Sequence, residues 1–263
     1  MAFSLMKKIG GKPLQMDMGR KLAIACNPFK IGAIATVILL AALPLGRAAD
    51  VYGSITYNGT PPPEIPITPL KKDPNCGPLH EEMPTTHFYK VGAHGGFGDV
   101  VVSLAGIQGQ STGTSAKPLL IDQKGCEYTP YISACQTGQK IIVRNSDPVL
   151  HNVHVTPRKR GNREQNMAQM PQGPDVTIVL SAPEDFVRFK CDVHRWMFAY
   201  VSVFDHPYFS VTDEDGSYRI HHVPPGQYTV IARHRKAGTL KKQVVVKDQD
   251  VKLDFTFERK VPR

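Results

Sequence analysis

The stretch from Cys191 to Met197 constrains the fold more than any other part of the sequence. Cys191, His194 and Met197 are separated by two residues each, so three sulfur or imidazole donors fall within seven residues. A β-strand cannot bring them to one point, because residues an odd number apart point to opposite faces. A tight loop can do so, and segments typical of strands end at Lys190 and begin at Phe198. The sequence therefore predicts a short loop that can wrap around one ion.

The remainder of the chain also favours strands over helices. Its 263 residues include 22 glycines and 22 prolines, and no long stretch shows helical periodicity. Short apolar or alternating segments, separated by turn residues, recur at near-regular spacing from Val51 to Phe257. The length suffices for two small domains or one large β domain. We therefore expect an all-β protein built from β-sandwiches.

The start of the chain has the features of an export signal. Lysine and arginine are frequent in residues 1–30, residues 31–45 are almost entirely apolar, and small residues follow up to Ala49. A basic start, an apolar core of about fifteen residues and a small-residue exit are typical of a secretory signal peptide. We expect residues 1–48 to be this signal, with cleavage after Ala48 or Ala49. The apolar segment is short for a membrane span, which needs about twenty residues; an uncleaved anchor is the alternative.

Removal of the signal changes what the charge implies. The formal net charge is +9, but residues 1–48 contain seven of the 32 Lys and Arg residues and only one of the 23 Asp and Glu residues. The mature chain then has 25 basic and 22 acidic side chains and a net charge of +3. The main argument for a nucleic-acid partner is lost. We expect a periplasmic or other extracytoplasmic protein without a stable membrane span.

Export also makes disulfides possible. Four cysteines follow the signal: Cys76, Cys126, Cys135 and Cys191. If Cys191 is a metal ligand, three remain, and one of them is free or paired with another molecule. Cys76 and Cys126 both lie in turn-like sequences, which favours a disulfide between them, while a bond between Cys126 and Cys135 is the alternative.

A second imidazole for the loop is available forty residues upstream, at His151. His151 follows a turn at the head of an apolar segment, so it can lie beside the Cys191 loop if the two strands are neighbours. One thiolate, two imidazoles and a weak axial thioether are the donors of copper electron-transfer sites. The alternative is a zinc site of His151, His154, Cys191 and His194. Two observations argue against zinc: Met197 is a poor zinc ligand, and His151 and His154 are three apart on a presumed strand.

The two segments together resemble the copper site of the cupredoxins. The sequence HNVHV at residues 151–155, paired with CDVHRWM at residues 191–197, has the loop spacing of the amicyanin type and is more loosely similar to plastocyanin. The resemblance implies a Greek-key β-sandwich over residues 108–204 with one type 1 copper. It also implies that the side chain of Asn152 ties the two ligand loops together. The copper ligands implied are His151, Cys191, His194 and Met197.

The loop departs from the cupredoxin pattern at two positions. Arg195 stands where these copper loops commonly have proline, and Trp196 is bulkier than the aromatic residue of the amicyanin type. The resemblance implies that the ring edge of His194 is exposed and serves as the exit for electrons. Both residues would then lie near the surface where a partner docks. For Trp196, packing in the core is the alternative.

A second resemblance covers the end of the chain. Residues 205–258 are similar to the carboxypeptidase regulatory-like or starch-binding-like sandwiches, through TDEDGSY at 212–218 and VPPGQY at 223–228. Physically these motifs are turns set by Asp-Gly and Pro-Gly, and they carry no information about a glycan. A strand at residues 53–57 resembles the first strand of such modules. We expect a discontinuous domain of residues 50–107 and 205–258 with the cupredoxin inserted; a single fused sandwich is the alternative.

These features favour an exported blue-copper protein that carries single electrons between redox proteins, such as a dehydrogenase or a cytochrome. The sequence has none of the further His-x-His or His-Cys-His clusters that multicopper enzymes need, so we do not expect an enzyme. Two alternatives are a surface module that binds a glycan or protein partner and holds a structural metal, and a copper storage or delivery protein.

Overall fold

The computed structural model describes residues 47–259. The expected signal peptide therefore lies outside the described residues, apart from its last two positions. Among the residues that are described, no helix is long and apolar enough to cross a membrane.

The described chain consists mainly of strands, so the expectation of an all-β fold is confirmed. It contains seventeen strands, one short α-helix and two 3-10 turns. The first nine strands are β1 Ala49–Asn58, β2 Val101–Leu104, β3 Leu119–Lys124, β4 Glu127–Thr129, β5 Ile132–Gln136, β6 Lys140–Asn145, β7 His151–Thr156, β8 Gln165–Gln169 and β9 Val176–Val179. The others are β10 Glu184–Lys190, β11 Phe198–Phe204, β12 Phe209–Val211, β13 Ser217–Val223, β14 Gly226–His234, β15 Gly238–Val246, β16 Val251–Lys252 and β17 Phe255–Glu258. The helix is α1 Thr68–Lys72, and the 3-10 turns are Gly77–Leu79 and Gly113–Ser115.

The nine consecutive strands β3 to β11 form two sheets that share one core. One sheet has the order β4-β3-β6-β9 and the other the order β5-β11-β10-β7-β8. Ile121 and Ile141 from the first sheet pack in one cluster with Val153, Phe189 and Val201 from the second, and all are inaccessible to solvent. Each such side chain contributes roughly 1.5–3 kcal/mol through burial of apolar surface. Buried and less buried positions alternate along β6, as in a strand with one face toward a core.

The remaining eight strands form two further sheets around a separate cluster. Their orders are β13-β1-β16, with β17 also paired to β1, and β12-β2-β14-β15. Ile55 of β1, Leu104 of β2, Ile220 of β13, Val230 of β14 and Phe255 of β17 belong to this second core. The described part of the chain therefore begins in this strand group, passes through β3 to β11, and returns to it at β12.

A third, smaller cluster packs strands of both groups together. Val101 of β2 belongs to one cluster with Ile132 of β5 and with Tyr200 and Phe204 of β11. The described residues belong to one compact unit. The domain boundaries at residues 107 and 205 therefore stay a prediction.

The long segment between β1 and β2 is fastened to the β3–β11 strands. A disulfide joins Cys76 to Cys126, with 5.7 Å between the Cα atoms. Leu70 of α1 is buried in the core of the β3–β11 strands, and the His80 ring hydrogen-bonds the carbonyl of Gly125 at 2.7 Å. Cys135, in contrast, is a free and buried thiol. These contacts place the segment between β1 and β2 beside the loop that contains Cys191.

Candidate metal centre

The loop between β10 and β11 is closed by its own backbone. Lys190 and Phe198 are paired across the two strands. The Cys191 amide donates to the carbonyl of Met197 at 3.1 Å, and the Met197 amide donates to the carbonyl of His194 at 2.9 Å. Cys191, His194 and Met197 are all buried. The loop thus turns inward the three side chains that an extended strand would have pointed to both faces.

Strand β7 brings His151 to this loop. It pairs with β10, with His154 opposite Lys190, so its first residue lies at the end of the strand where the loop begins. Nδ1 of His151 is 3.0 Å from Nδ1 of His194, and Sγ of Cys191 is 3.9 Å from the same His194 atom. One donor atom from each of the three residues lies within 4.8 Å of the other two. Two imidazole nitrogens and one sulfur therefore converge in a site shielded from water.

Asp147 orients His151 from behind. Its Oδ2 atom is 2.9 Å from Nε2 of His151, and its carboxylate also accepts hydrogen bonds from the amides of Gly125 and Cys126, both at 2.7 Å. When Nε2–H donates to the carboxylate, Nδ1 keeps its lone pair free on the side of His194 and Cys191. Carboxylates commonly support metal-binding histidines in this way. Sequence reasoning missed Asp147 because Ser146-Asp147-Pro148 looks like an ordinary turn; its position four residues before His151 was the available signal.

The charges of the cluster favour a thiolate at Cys191. Burial would raise the pKa of this thiol, but hydrogen bonds with His151 and with the amides of Asn152 and His194 lower the pKa below its usual value. Burial would lower the pKa of His151, yet hydrogen bonds with Asp147 and Cys191 raise it. Burial and the nearby His151 lower the pKa of His194. Because the thiolate is the metal-binding form of cysteine, the donor set suits a cation.

Asn152 connects β7 to the loop. Its side-chain oxygen accepts a hydrogen bond from the Asp192 amide at 2.6 Å and from the Cys191 thiol at 3.3 Å. The Asn152 amide donates to Sγ of Cys191 at 3.4 Å, and its Nδ2 donates to Asn166 on β8 at 2.6 Å. The side chain is therefore placed where it fixes the distance between His151 and Cys191.

His154 lies on the opposite face of β7 from the cluster. Its ring nitrogens are each 2.6 Å from a carboxylate, one on Asp192 and the other on Glu164. The cause is the spacing from His151, since residues three apart on a strand point to opposite faces. This placement argues against the four-ligand zinc site that the sequence left as an alternative.

The expectation of an exposed His194 is wrong. Only 5 % of this residue is accessible. Its ring is 5.1 Å from the ring of Trp196, and the sulfurs of the Cys76–Cys126 disulfide lie within 4.8 Å of a His194 nitrogen. Trp196 is itself held by a hydrogen bond from Nε1 to the Cys126 carbonyl at 3.1 Å. The disulfide brings the segment after α1 over the position where the resemblance implied an open surface.

The chain matches no protein-family model, and no curated protein matches it. Among solved structures, a copper-containing nitrite reductase from Thermus scotoductus aligns with 34 % of this chain at 16 % identity and a TM-score of 0.31. This chain spans only 23 % of that reductase.

Smaller proteins align over most of their own length. A variant of amicyanin with Cu(I) aligns with 39 % of this chain and 97 % of its own, at 12 % identity and a TM-score of 0.30. A purple cupredoxin from Nitrosopumilus maritimus aligns with 32 % of this chain and 98 % of its own, at 18 % identity and a TM-score of 0.27. These structural neighbours are cupredoxins, and the similarity is low and confined to part of the chain.

Proposed function

We propose that the protein binds one copper ion and carries single electrons. His151, Cys191 and His194 would be the strong ligands, and the thioether of Met197 would be the weak fourth one. The observation that carries this proposal is the convergence of two Nδ1 atoms and one cysteine sulfur in a buried site. Two histidines, one cysteine and a distant methionine are the ligand set of blue-copper electron-transfer centres.

The surroundings of the cluster favour electron transfer over substrate turnover. When bound, copper would supply a one-electron couple between Cu(I) and Cu(II). Asp147 holds His151 and Asn152 holds the Cys191 loop, so the donor atoms keep their places when the charge of the site changes. The cluster is buried, and Trp196 and the disulfide cover His194. These residues exclude water from the donor atoms, which suits a carrier.

The visible spectrum tests this proposal. Copper added to the purified metal-free protein is expected to bind one ion per chain and to give an intense thiolate-to-copper band. Cys191→Ser should abolish the band, whereas Cys135→Ser, which alters the other free thiol, should retain it. A reductant should bleach the band reversibly. A colourless copper complex, or a band that survives in Cys191→Ser, would contradict the proposal.

Copper retention separates a carrier from a storage or delivery protein. A carrier is expected to keep its ion during prolonged incubation with a chelator, because the ligands are held by Asp147 and Asn152. Rapid exchange of copper with the chelator would favour storage or delivery. The proposed ligands would be the same in both cases.

We also propose that the protein is exported and meets a redox protein outside the cytoplasm. The sequence of residues 1–48 supports export, and a disulfide between Cys76 and Cys126 is typical of an oxidising compartment. Expression of the full chain, cell fractionation and mass measurement of the product test this. We expect the mature chain to begin at Ala49 or Asp50, and a product with an intact start in the cytoplasm would argue against export.

A further inference from the structure

A cavity of about 760 Å³ adjoins the loop between β10 and β11, on the side of Trp196 and Phe198. Its other walls come from the segment between β1 and β2 and from the turn that follows β4, including Phe88 and Tyr131. Sites for small molecules typically measure ~300–1,000 Å³ and combine apolar walls with a few polar groups. The cavity therefore has the size and lining of a site for a small organic molecule. Met197 is the one proposed copper ligand in its described lining; His151, Cys191 and His194 do not line it.

Three aromatic rings form one wall of this cavity. The ring centroids of Phe88, Tyr131 and Phe198 are 6.0 to 6.5 Å from one another. Outside the cavity, the Lys236 ammonium lies 4.1 Å from the ring centre of Phe88, and the Arg188 guanidinium lies 5.2 Å from that of Phe198. Ring faces attract cations through their quadrupole. Two of the three rings, Phe88 and Phe198, thus already lie close to a cationic side chain of the protein.

The charged side chains that line the cavity are mainly acidic. Lys90 is the only lysine or arginine of the described lining, and it pairs with Glu214 at 2.9 Å. His87 lies 3.5 Å from Glu127. The four lining carboxylates are Glu64, Asp99, Glu127 and Glu214. The lining residues therefore sum to −3 with His87 neutral and −2 with His87 protonated, which favours a cation over an anion beside these carboxylates. Lys236, Arg188 and Arg235 contact the rings of the aromatic wall and offset part of this charge there.

Asp99 differs from the other three carboxylates. Glu64 accepts hydrogen bonds from the amides of Phe88 and Tyr89, whereas no described residue donates a hydrogen bond to the Asp99 carboxylate or pairs with it. Burial raises its pKa to about 6, despite the positive charges of Lys90 and His87 nearby. Its backbone also adopts a left-handed conformation, with φ of 58°. Asp99 is thus a half-buried carboxylate that accepts no hydrogen bond from a described residue and lines a cavity with aromatic walls, and carboxyl groups with a shifted pKa are common at binding sites.

We propose that this cavity binds a small organic cation that carries an ammonium group on an aromatic or alkyl body. The ammonium would pair with Asp99, and the body would lie against Phe88, Tyr131, Phe198 and Trp196. A desolvated carboxylate and several ring faces are the combination that recognises such cations. The proposal does not depend on copper, because none of its polar groups belongs to the donor cluster.

Trp196 makes binding measurable. It is the only tryptophan of the chain and it lines the cavity. We would titrate the metal-free protein with benzyltrimethylammonium, follow the fluorescence of Trp196, and repeat the titration by calorimetry, which does not depend on the indole. Benzoate serves as the matched anion with the same ring. The cation is expected to saturate the site, and benzoate is not.

Asp99→Asn is the decisive variant, because asparagine tolerates the left-handed backbone of this position. We expect it to weaken binding of the cation about tenfold. Asp248→Asn removes the same charge at an exposed turn residue outside the cavity lining and should leave affinity unchanged. Phe198→Leu, which removes a ring but keeps an apolar side chain, should also weaken binding.

Three results would overturn the proposal. These are the absence of saturable binding of the cation by both methods, equal affinity for benzoate, and equal affinity of the cation for Asp99→Asn and the unaltered protein. Each of these results is obtained with the metal-free protein, so it does not depend on whether the protein forms a blue-copper site. The two proposals can therefore fail independently.

Discussion

At the scale of single residues, Asp147 has the clearest link to the chemistry of the cluster. It holds Nε2 of His151 at 2.9 Å and two amides of the turn after β3 at 2.7 Å. Asp147→Asn would remove the negative charge that makes His151 a stronger donor. We expect copper affinity to fall by about 10- to 100-fold and the reduction potential to rise, because the more highly charged Cu(II) loses more stabilisation than Cu(I).

A competition titration with a copper chelator and a redox titration measure these two effects. Asp175→Asn is the matched control, since Asp175 is a carboxylate paired with Arg144 at 2.8 Å and is not part of the cluster. Unchanged affinity and potential in Asp147→Asn would show that the carboxylate only shapes the turn.

Asp99 predicts an unusual dependence of stability on pH. Its pKa is raised from 3.8 to about 6 in the folded protein, so the folded state binds the proton more tightly than the unfolded state. The ionised Asp99 carboxylate therefore lowers the free energy of unfolding. This destabilisation is absent below pH ~4, grows as the pH rises, and is complete above pH ~6, where it is on the order of 1 to 3 kcal/mol. Asp99→Asn should therefore be more stable than the unaltered protein at pH 7, and this gain should disappear near pH 4.

Urea unfolding at the two pH values measures the difference. Asp248→Asn, in an exposed turn, is expected to change stability little at either pH. A loss of stability in Asp99→Asn at neutral pH would mean that its carboxylate is paired in solution.

At the scale of elements, the local sequence pattern predicted the loop between β10 and β11, but it did not predict that other residues cover His194. Odd spacing among the donor residues required a loop, and the strand segments on both sides located its ends at Lys190 and Phe198. The turn before His151 placed that residue at the head of a strand. These are short-range signals. The segment over His194 contains Cys76, more than one hundred residues earlier in the chain. The turn-like sequences around Cys76 and Cys126 favoured the disulfide between them, and it is present. No local pattern placed that disulfide against His194.

The disulfide that fastens this cover should contribute strongly to stability. It closes a loop of 50 residues, which corresponds to about 4 kcal/mol in the chain-entropy description. The double variant Cys76→Ser/Cys126→Ser is expected to lose stability of this order in urea unfolding. It should also leave His194 more accessible to a histidine-modifying reagent in the metal-free protein.

Reductant provides the control for this prediction. It should destabilise the unaltered protein to the level of the double variant and leave the double variant itself unchanged. Cys135→Ala, which removes the free buried thiol, should not remove the sensitivity to reductant. A double variant as stable as the unaltered protein would show that packing of Leu70 and its neighbours suffices to hold the segment.

At the scale of the whole molecule, the two groups of strands depend on each other. The core of β3 to β11 includes Leu70 from the segment between β1 and β2, and Val101 and Tyr200 meet in the cluster between the groups. We expect the full chain to unfold in one transition, with loss of the copper band and loss of far-ultraviolet circular dichroism at the same urea concentration.

A fragment of residues 108–204 tests the same dependence. It would lack Leu70 and the partner of Cys126, and we expect it to be markedly less stable than the full chain. Two separate transitions in the full chain, or a fragment of equal stability with the same visible band, would instead support an autonomous inserted domain.

The cover over His194 also has a consequence for insulation. On the proposed function, an electron that leaves through His194 has to tunnel across the Cys76–Cys126 bridge or the Trp196 indole before it reaches a partner. The disulfide and Trp196 also keep a small oxidant in solution from direct contact with the His194 imidazole. Because His194 is buried, a partner protein cannot bring its redox centre to the imidazole ring edge. That redox centre would instead approach the outer side of the disulfide. On the proposed function, the disulfide therefore slows electron loss to small oxidants and moves the point of electron exit from the His194 ring edge to the disulfide or the Trp196 indole.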